Sequence, residues 1–561
     1  MDYNNLLYKR GFLFSQVRIS PPIPTWVSAT VGDYFISYDP ENQWAFLQND
    51  NDWCALLGKV VDTLNWNTNI QFIVGECLAR LNHSEERMLD YIDYLSGRFI
   101  IIYHHGSKTK LMNDAFGTRS VFYSMQDSVL IASHCRIISD YLDSIESRQM
   151  VTIGQDKRWR SLKSHAYPGI LTPYEGVYVL TPNTLIDIKE RAIRRFYPRK
   201  ELPTNNLTDV VDEVSAVLRR QLELLHSKYK LAFSLSAGLD SRTTLALAKN
   251  IAAEALFFTY SYPNEALYWK ELGLVPCDAR GDTHEKRRAS TLVDLSVASE
   301  IAKAFGLQHT PLDVSASHDE FLQFEKVVTH NTHYRHARRV AFEYLNQLPS
   351  GLLHIRSNVS SCARAFNRPK TVEIPITPEK MAQEASGMGN NRIAVEAFQQ
   401  FEKVTEFANI LNYDPYDMFL WEHHEGTWLG YVLLESDVAF DTFEIWNCRA
   451  LMEKALSVPL EHRLKSAIHF GIIEHLWPLL LAWPINNGLP YRQQIGELRA
   501  ENAVLKSELA KTKKRLQIEE SFSYRLGATL VKSVASPGLN SILLPYRLID
   551  LCIREVVRRS T

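Results

Sequence analysis

The chain has 561 residues, 45% of them apolar, with Lys plus Arg at 62 against Asp plus Glu at 64 and a net charge of -2. That is apolar material for about three or four domains of ~150 residues each, and it excludes a disordered chain. With no charge excess there is no global field for nucleic acid or an acidic surface, so any basic patch must be local.

From the start to about Lys200, short apolar runs alternate with turn residues: FISY, WAFL, FIIIYHH before GS, SVFYS, VLIAS and GVYVLTPNTLIDI. This spacing predicts a mainly β domain over residues 1–200. After ELPTNN the pattern changes. Val210, Val211, Val214, Val217, Leu218, Leu222 and Leu225 recur at helical spacing, predicting a helix over 207–226 and a new domain over 205–488.

LAFSL then reads as a short buried strand, TTLALAKNIAAE as a helix and ALFFTY as a second strand. A long amphipathic helix over 291–305 leads to the strand-like HTPLDV. Strands alternating with helices predict an α/β unit with a parallel sheet, which binds ligands beyond the C-terminal ends of its strands. From about Asp319 to 487 the chain reads mostly helical. The run 472–485 is broken by Glu474, His475, Pro478 and Pro484 and falls short of the ~20 residues needed to cross a bilayer, so it reads as core.

Over residues 491–520 a heptad is legible: Ile495, Leu498, Asn502, Leu505, Leu509, Thr512 and Leu516. It reads either as a coiled coil, with Asn502 setting register, or as an amphipathic helix packed on its own protein. The remaining 521–561 carries Arg525, Lys532, Arg547, Arg554, Arg558 and Arg559 among apolar residues, a pattern for a solvated amphipathic helix or a weak membrane-surface contact.

Seven cysteines, Cys54, Cys77, Cys135, Cys277, Cys362, Cys448 and Cys552, are scattered singly. That spacing argues against a disulfide framework or zinc site and for a reducing compartment. The start, MDYNNLLYKRGF, has neither the apolar stretch nor the cleavage site of a secretory signal, so the expected location is cytoplasmic. His330, His333 and His336 lack carboxylates or thiols at ligand spacing, and His423 and His424 are adjacent. They read as interior or surface histidines.

The stretch LAFSLSAGLDSRTT (231–244) carries the chemistry. A loop of small residues between strand and helix lets backbone N–H groups approach an anion, and the helix N-terminus adds a favourable dipole, so phosphate is the natural occupant. Ser236 and Ser241 supply hydroxyls. Asp240 would repel a bare phosphate unless Mg2+ bridges the two, which points to Mg-nucleotide and makes Asp240 the expected metal ligand. The GxxxxGK[ST] pattern is absent, excluding a Walker-type site here.

SAGLDS resembles the SGGxDS pyrophosphate loop of the N-type ATP pyrophosphatases, and its setting resembles the asparagine synthetase and β-lactam synthetase family. The resemblance implies ATP and Mg2+ as cofactors, with Ser236, Ala237, Gly238, Leu239, Asp240 and Ser241 holding the β- and γ-phosphates and Ala237 standing in for a glycine. It implies attack of a carboxylate on the α-phosphate, giving an acyl-adenylate that an amine resolves. Asp240, Arg242 and Lys465 are then the expected catalytic group, with Arg463 a further basic candidate. LSGRFIIIYHHGSKTKLMNDAFGTRSVFYS, with Gly97, Phe99, Asp114, Gly117 and Arg119, is similar to that family's glutamine amidotransferase domain. GVYVLTPNTLIDI is similar to its closing strands, the segment 294–309 to the helix and strand after the nucleotide strand, and 444–484 to the C-terminal helices.

Two departures matter. Family glutaminases use a cysteine directly after the initiator methionine, and here Asp2 stands there. The resemblance therefore implies that the N-terminal domain is a degenerate amidotransferase-like unit, a β-rich sandwich. The family's second metal carboxylate, in SGxGxDE, corresponds to 357–361, which has no acid; Glu435, Asp437 or Asp441 are the residues that could compensate. The expected function is an AMP- and pyrophosphate-forming ligase acting on a small-molecule or peptide carboxylate, without its own glutaminase. The alternative is an inactive scaffold that binds nucleotide or a partner enzyme through the heptad segment, which could also join two copies of the chain. No nucleic-acid partner is expected.

Overall fold

The computed structural model describes residues 3–126, 128–156, 158–159, 167–266, 281–314, 320–332, 337–366, 368, 376–486 and 488, and short pieces beyond 509. The chain divides into two compact units, Met1–Gly488 and Leu489–Thr561. In the second, the heptad positions Ile495 to Leu516 and most of the basic tail lie outside the described residues.

The first unit is a mixed α/β structure. Its N-terminal part is a sandwich of two antiparallel six-stranded sheets. One has the order β10-β8-β9-β1-β3-β2, from Tyr178–Val179, Phe122–Ser124, Leu130–Ala132, Phe12–Ser15, Tyr34–Tyr38 and Val27–Val31. The other has the order β12-β11-β7-β6-β5-β4, from Ala192–Arg195, Thr184–Asp187, Lys108–Asn113, Leu95–His105, Trp53–Asp62 and Trp44–Gln48. Phe12, Phe14, Ile36, Leu57, Ile100, Ile102, Leu111 and Ile131 fill the space between them.

β5 is among the longest strands, yet alternation does not announce it, because nearly every residue from Trp53 to Asp62 is buried. The facing sheet covers one side and the helix Ile70–Leu81 packs on the other. A strand covered on both faces loses the period of two.

The helix Leu207–His226 occupies the residues expected of it, with Asn206 as its side-chain cap. The parallel sheet beyond it has the order β15-β14-β13-β16-β17, from Gln308–Asp313, Leu256–Ser261, Lys230–Ser234, Leu352–Arg356 and Asp441–Glu444, every neighbouring pair parallel. β16 and β17 lie in the stretch expected to be mostly helical. β17 reads DTFE, and its polar ends disguise a buried strand whose Asp441 is paired with Lys59 at 2.9 Å. Chain order runs outward from β13 in one direction and from β16 in the other, so the sheet's switch point lies between those two strands.

Sandwich and parallel sheet share a polar, closely packed boundary. Arg98 of β6 donates to both oxygens of Asp437, through Nη2 to Oδ2 at 2.8 Å, and through Nε to the carbonyl of Thr118 at 2.8 Å. Asp114 accepts from the backbone N–H groups of Thr118 at 2.8 Å and Arg119 at 2.7 Å and from Asn447 Nδ2 at 2.9 Å. Gly97 adopts φ +133°, and a Cβ there would lie 2.4 Å from the Lys59 carbonyl and 2.9 Å from the ring of Phe443. Only glycine lets β17 approach β6 this closely.

Candidate functional site

β13 ends at Ser234, and the loop through Gly238 feeds the helix Leu239–Leu247. Almost every residue of that helix is buried, and it packs on the helix Ala467–Leu476 and the 3-10 turn Asn358–Arg364. The loop therefore stands on fixed supports at the switch point.

A cavity of about 230 Å³ opens beside it, lined by Ser236, Gly238, Asp240 and Ser241 from the loop and helix start, Thr259 and Tyr260 from β14, Asp294, Tyr344, Arg356 at the end of β16, and Ser357 and Asn358 after it. That is smaller than the roughly 300–1,000 Å³ of pockets enclosing whole drug-sized ligands. It suits a phosphate chain, with the rest of a larger ligand at its mouth.

The loop is held by its own hydroxyls. Ser236 Oγ and Ser241 Oγ lie 2.8 Å apart, Ser236 Oγ accepts from the Gly238 N–H at 3.0 Å, and Asp294 accepts from the Ala237 N–H at 2.9 Å. These bonds occupy backbone donors that were expected to meet phosphate. Gly238 caps the helix without a side-chain bond, so the first-turn N–H groups have no cap from that residue. Ser236, Ser241 and Arg356 are among the residues of the cavity wall that carry side-chain donors. Ala237 and Leu239, both expected in the phosphate grip, are buried and belong to the core.

Two expected catalytic residues go elsewhere. Arg242 is fully buried and donates to the carbonyls of Trp483 at 2.8 Å, Pro484 at 2.7 Å, Leu480 at 3.4 Å and Ala237 at 3.3 Å. It ties the end of the first unit to the loop, and burial lowers its pKa to about 10. Both terminal nitrogens of the guanidinium are engaged by these carbonyls, and the side chain is absent from the cavity wall. Lys465 is exposed and absent from the cavity wall, and Arg463 is buried against Asp417 at 2.6 Å.

Asp240 does line the cavity, but its carboxylate is engaged. Ser360 Oγ donates to Oδ1 at 2.9 Å and Arg364 Nη2 to Oδ2 at 2.8 Å, while His469 Nε2 is 3.4 Å from Oδ1. Burial works to raise the Asp240 pKa; the adjacent His469, the Arg364 charge and the Ser360 hydroxyl outweigh it and leave the carboxyl below its ordinary range. Burial also keeps the His469 imidazole neutral, stacked on Trp446 with centroids 5.5 Å apart.

The acids nearby are altered in charge or already bonded. Burial pushes Glu425 up to about 8 despite the hydroxyl of Ser361 at 2.7 Å, and Glu444 up to about 7 despite Arg356. Near neutrality neither brings a full negative charge. The three residues named as possible substitutes serve the fold instead: Asp437 pairs with Arg98, Asp441 with Lys59, and Glu435 accepts from the Ala337 N–H at 2.6 Å. Mg2+ commonly takes one or two carboxylates together with phosphate oxygens and water, and here the carboxylate of Asp240 is engaged by Arg364 and Ser360.

Sequence reasoning missed Ser360, Arg364, Arg356 and His469. A signal existed for Arg364: within 358–366, NVSSCARAF, it is the one charged side chain, in the segment where an acid was sought.

No protein-family model matches the chain, and no curated protein matches it. Among solved structures it is similar to the glutamine phosphoribosylpyrophosphate amidotransferase of B. subtilis complexed with ADP and GMP, at 11% identity over 64% of this chain and 72% of that one, TM-score 0.21. It is also similar to a glutamine-dependent NAD+ synthetase from Acinetobacter baumannii in complex with ADP, at 16% identity over 40% of this chain and 41% of that one, TM-score 0.17. A third, the allosteric regulatory enzyme of purine biosynthesis, shows 10% identity over 65% and 73%, TM-score 0.20. At such scores these likenesses carry no argument about activity.

Proposed function

We propose that the protein is an ATP-dependent, AMP-forming ligase of the synthetase type that joins a carboxylate to an amine and has no glutaminase of its own. The observation that supports this most directly is the serine-lined loop entering a helix at the switch point of a parallel sheet, with a cavity beside it. In this reading a carboxylate oxygen bonds to the α-phosphorus as the bond to pyrophosphate breaks. The amine then displaces AMP from the acyl carbon. Ser236, Ser241 and the first-turn N–H groups hold the departing pyrophosphate, whose charge they stabilise as it develops. Asparagine formation from free ammonia is one substrate option.

A second reading is favoured by the Asp240–Arg364 pair: a protein that holds nucleotide without turning it over and uses its C-terminal segment to bind a partner or a second copy.

Incubation with ATP labelled at the α-phosphate, a panel of carboxylates and ammonia separates the two. The ligase reading expects labelled AMP; the scaffold reading expects bound ATP and none. Either expects the Ser236→Ala, Ser241→Ala double variant to bind ATP about tenfold more weakly, or ~1.4 kcal/mol. Failure of the unsubstituted protein to bind ATP would sink both.

A further inference from the structure

Asp240, which lines the cavity, is held in a charge pair where the family resemblance calls for a metal ion. Both oxygens of Asp240 are met from one segment, the turn Asn358–Arg364 after β16, by Ser360 at 2.9 Å and Arg364 at 2.8 Å. The Arg364 guanidinium also lies over the ring of Phe366, 4.4 Å from its centroid, so it is held by the ring as well as by the carboxylate.

The carboxyls around Asp240 are weakened as ligands by burial or by bonds they already make. Burial raises Glu425 to about 8 and Glu444 to about 7, and Asp294, its pKa also raised by burial, has one oxygen on the Ala237 N–H. Among the described residues no cluster of His, Cys, Asp and Glu is arranged to hold a metal.

A cation does face the cavity. Arg356 ends β16, lines the wall, and is aimed by a bond from Nε to Asn358 Oδ1 at 3.0 Å. Its acidic neighbour Glu444, 3.9 Å away, is the residue whose charge burial weakens. A guanidinium placed so offers phosphate oxygens directional donors and a fixed charge without any metal.

We infer that the cleft takes its phosphate-bearing ligand without a divalent cation, with Arg364 standing at Asp240 in the ion's place and Arg356 facing the phosphate oxygens. This rests on the nucleotide reading above. It adds that the charge the ion would supply is built into the chain.

The test is calorimetric binding of ATP and of inorganic pyrophosphate to the full chain, in excess EDTA and in saturating Mg2+. The two conditions are expected to give affinities within about threefold of each other. In Arg364→Ala, binding in EDTA is expected to fall about tenfold and to return with Mg2+, because the freed Asp240 becomes a metal ligand. Arg364→Lys keeps a cation beside Asp240 and is expected to stay metal-independent, which guards against a fold lost in the alanine variant. Binding by the unsubstituted protein that drops about tenfold or more in EDTA overturns the inference, as does an alanine variant that matches it in both conditions. Absence of binding for both probes in both conditions overturns the nucleotide reading itself, an outcome distinct from metal dependence.

Discussion

Glu425 shows how a single residue carries the character of the site. Its carboxyl is buried with one oxygen on Ser361, and its other oxygen has no partner among the described residues. Burial raises its pKa from 4.5 to about 8, so the folded chain holds a proton there that the unfolded chain releases above pH 4.5. When the folded state binds more protons, stability falls as pH rises, and the loss runs from about pH 4.5 up to about 8. Glu444, raised to about 7, acts in the same direction over a narrower window. Urea midpoints measured across that range are expected to decline toward alkaline pH, with a shallower decline in Glu425→Gln. An equal slope in the variant would mean that Glu425 is not the proton holder. None of this is visible in the string WEHHEG, where Glu425 looks like a surface acid.

At the scale of elements, Arg242 joins two pieces far apart in sequence. One guanidinium binds carbonyls at Ala237, Leu480, Trp483 and Pro484, so the phosphate-type loop and the end of the helical region are fixed together. Replacing it by alanine strands buried carbonyls and leaves a void, with an expected cost of about 2–4 kcal/mol in chemical denaturation. A cost below about 0.5 kcal/mol, the range of ordinary surface changes, would contradict this role. From sequence alone, an arginine next to SAGLDS invites a catalytic reading, because residue type and proximity are the only guides. The direction of the side chain depends on the fold of residues 480–484.

For the whole molecule, the sandwich and the parallel sheet meet over buried ions. Arg98 and Asp437 are both about 1% exposed, and Lys59 and Asp441 flank them. Removing one partner leaves a charge stranded away from water, whereas removing both leaves none. Arg98→Met alone is therefore expected to cost about 3–5 kcal/mol, and the Arg98→Met, Asp437→Leu double variant much less. Additive costs would show that the pair does not act as a unit. On the same scale, no helix among the described residues is long and apolar enough to cross a bilayer.

The sequence by itself determined the change from strand spacing to helical spacing near residue 207, the helix Leu207–His226, the strand–loop–helix around SAGLDS and the parallel character of the sheet built on it. These are local matters, set by side-chain periodicity and by small residues at a turn. It also exposed the missing acid at 357–361. Only the tertiary structure decided what occupies that place. β16 and β17 were hidden because short strands buried on both faces lack alternation, and without them the switch point has no location. Arg364 reaches Asp240 across 124 positions of chain, and Arg242 turns away from the cavity although it is two positions from Asp240. Distance along the chain does not fix distance in space for charged side chains, and a carboxylate takes whichever cation the fold brings to it.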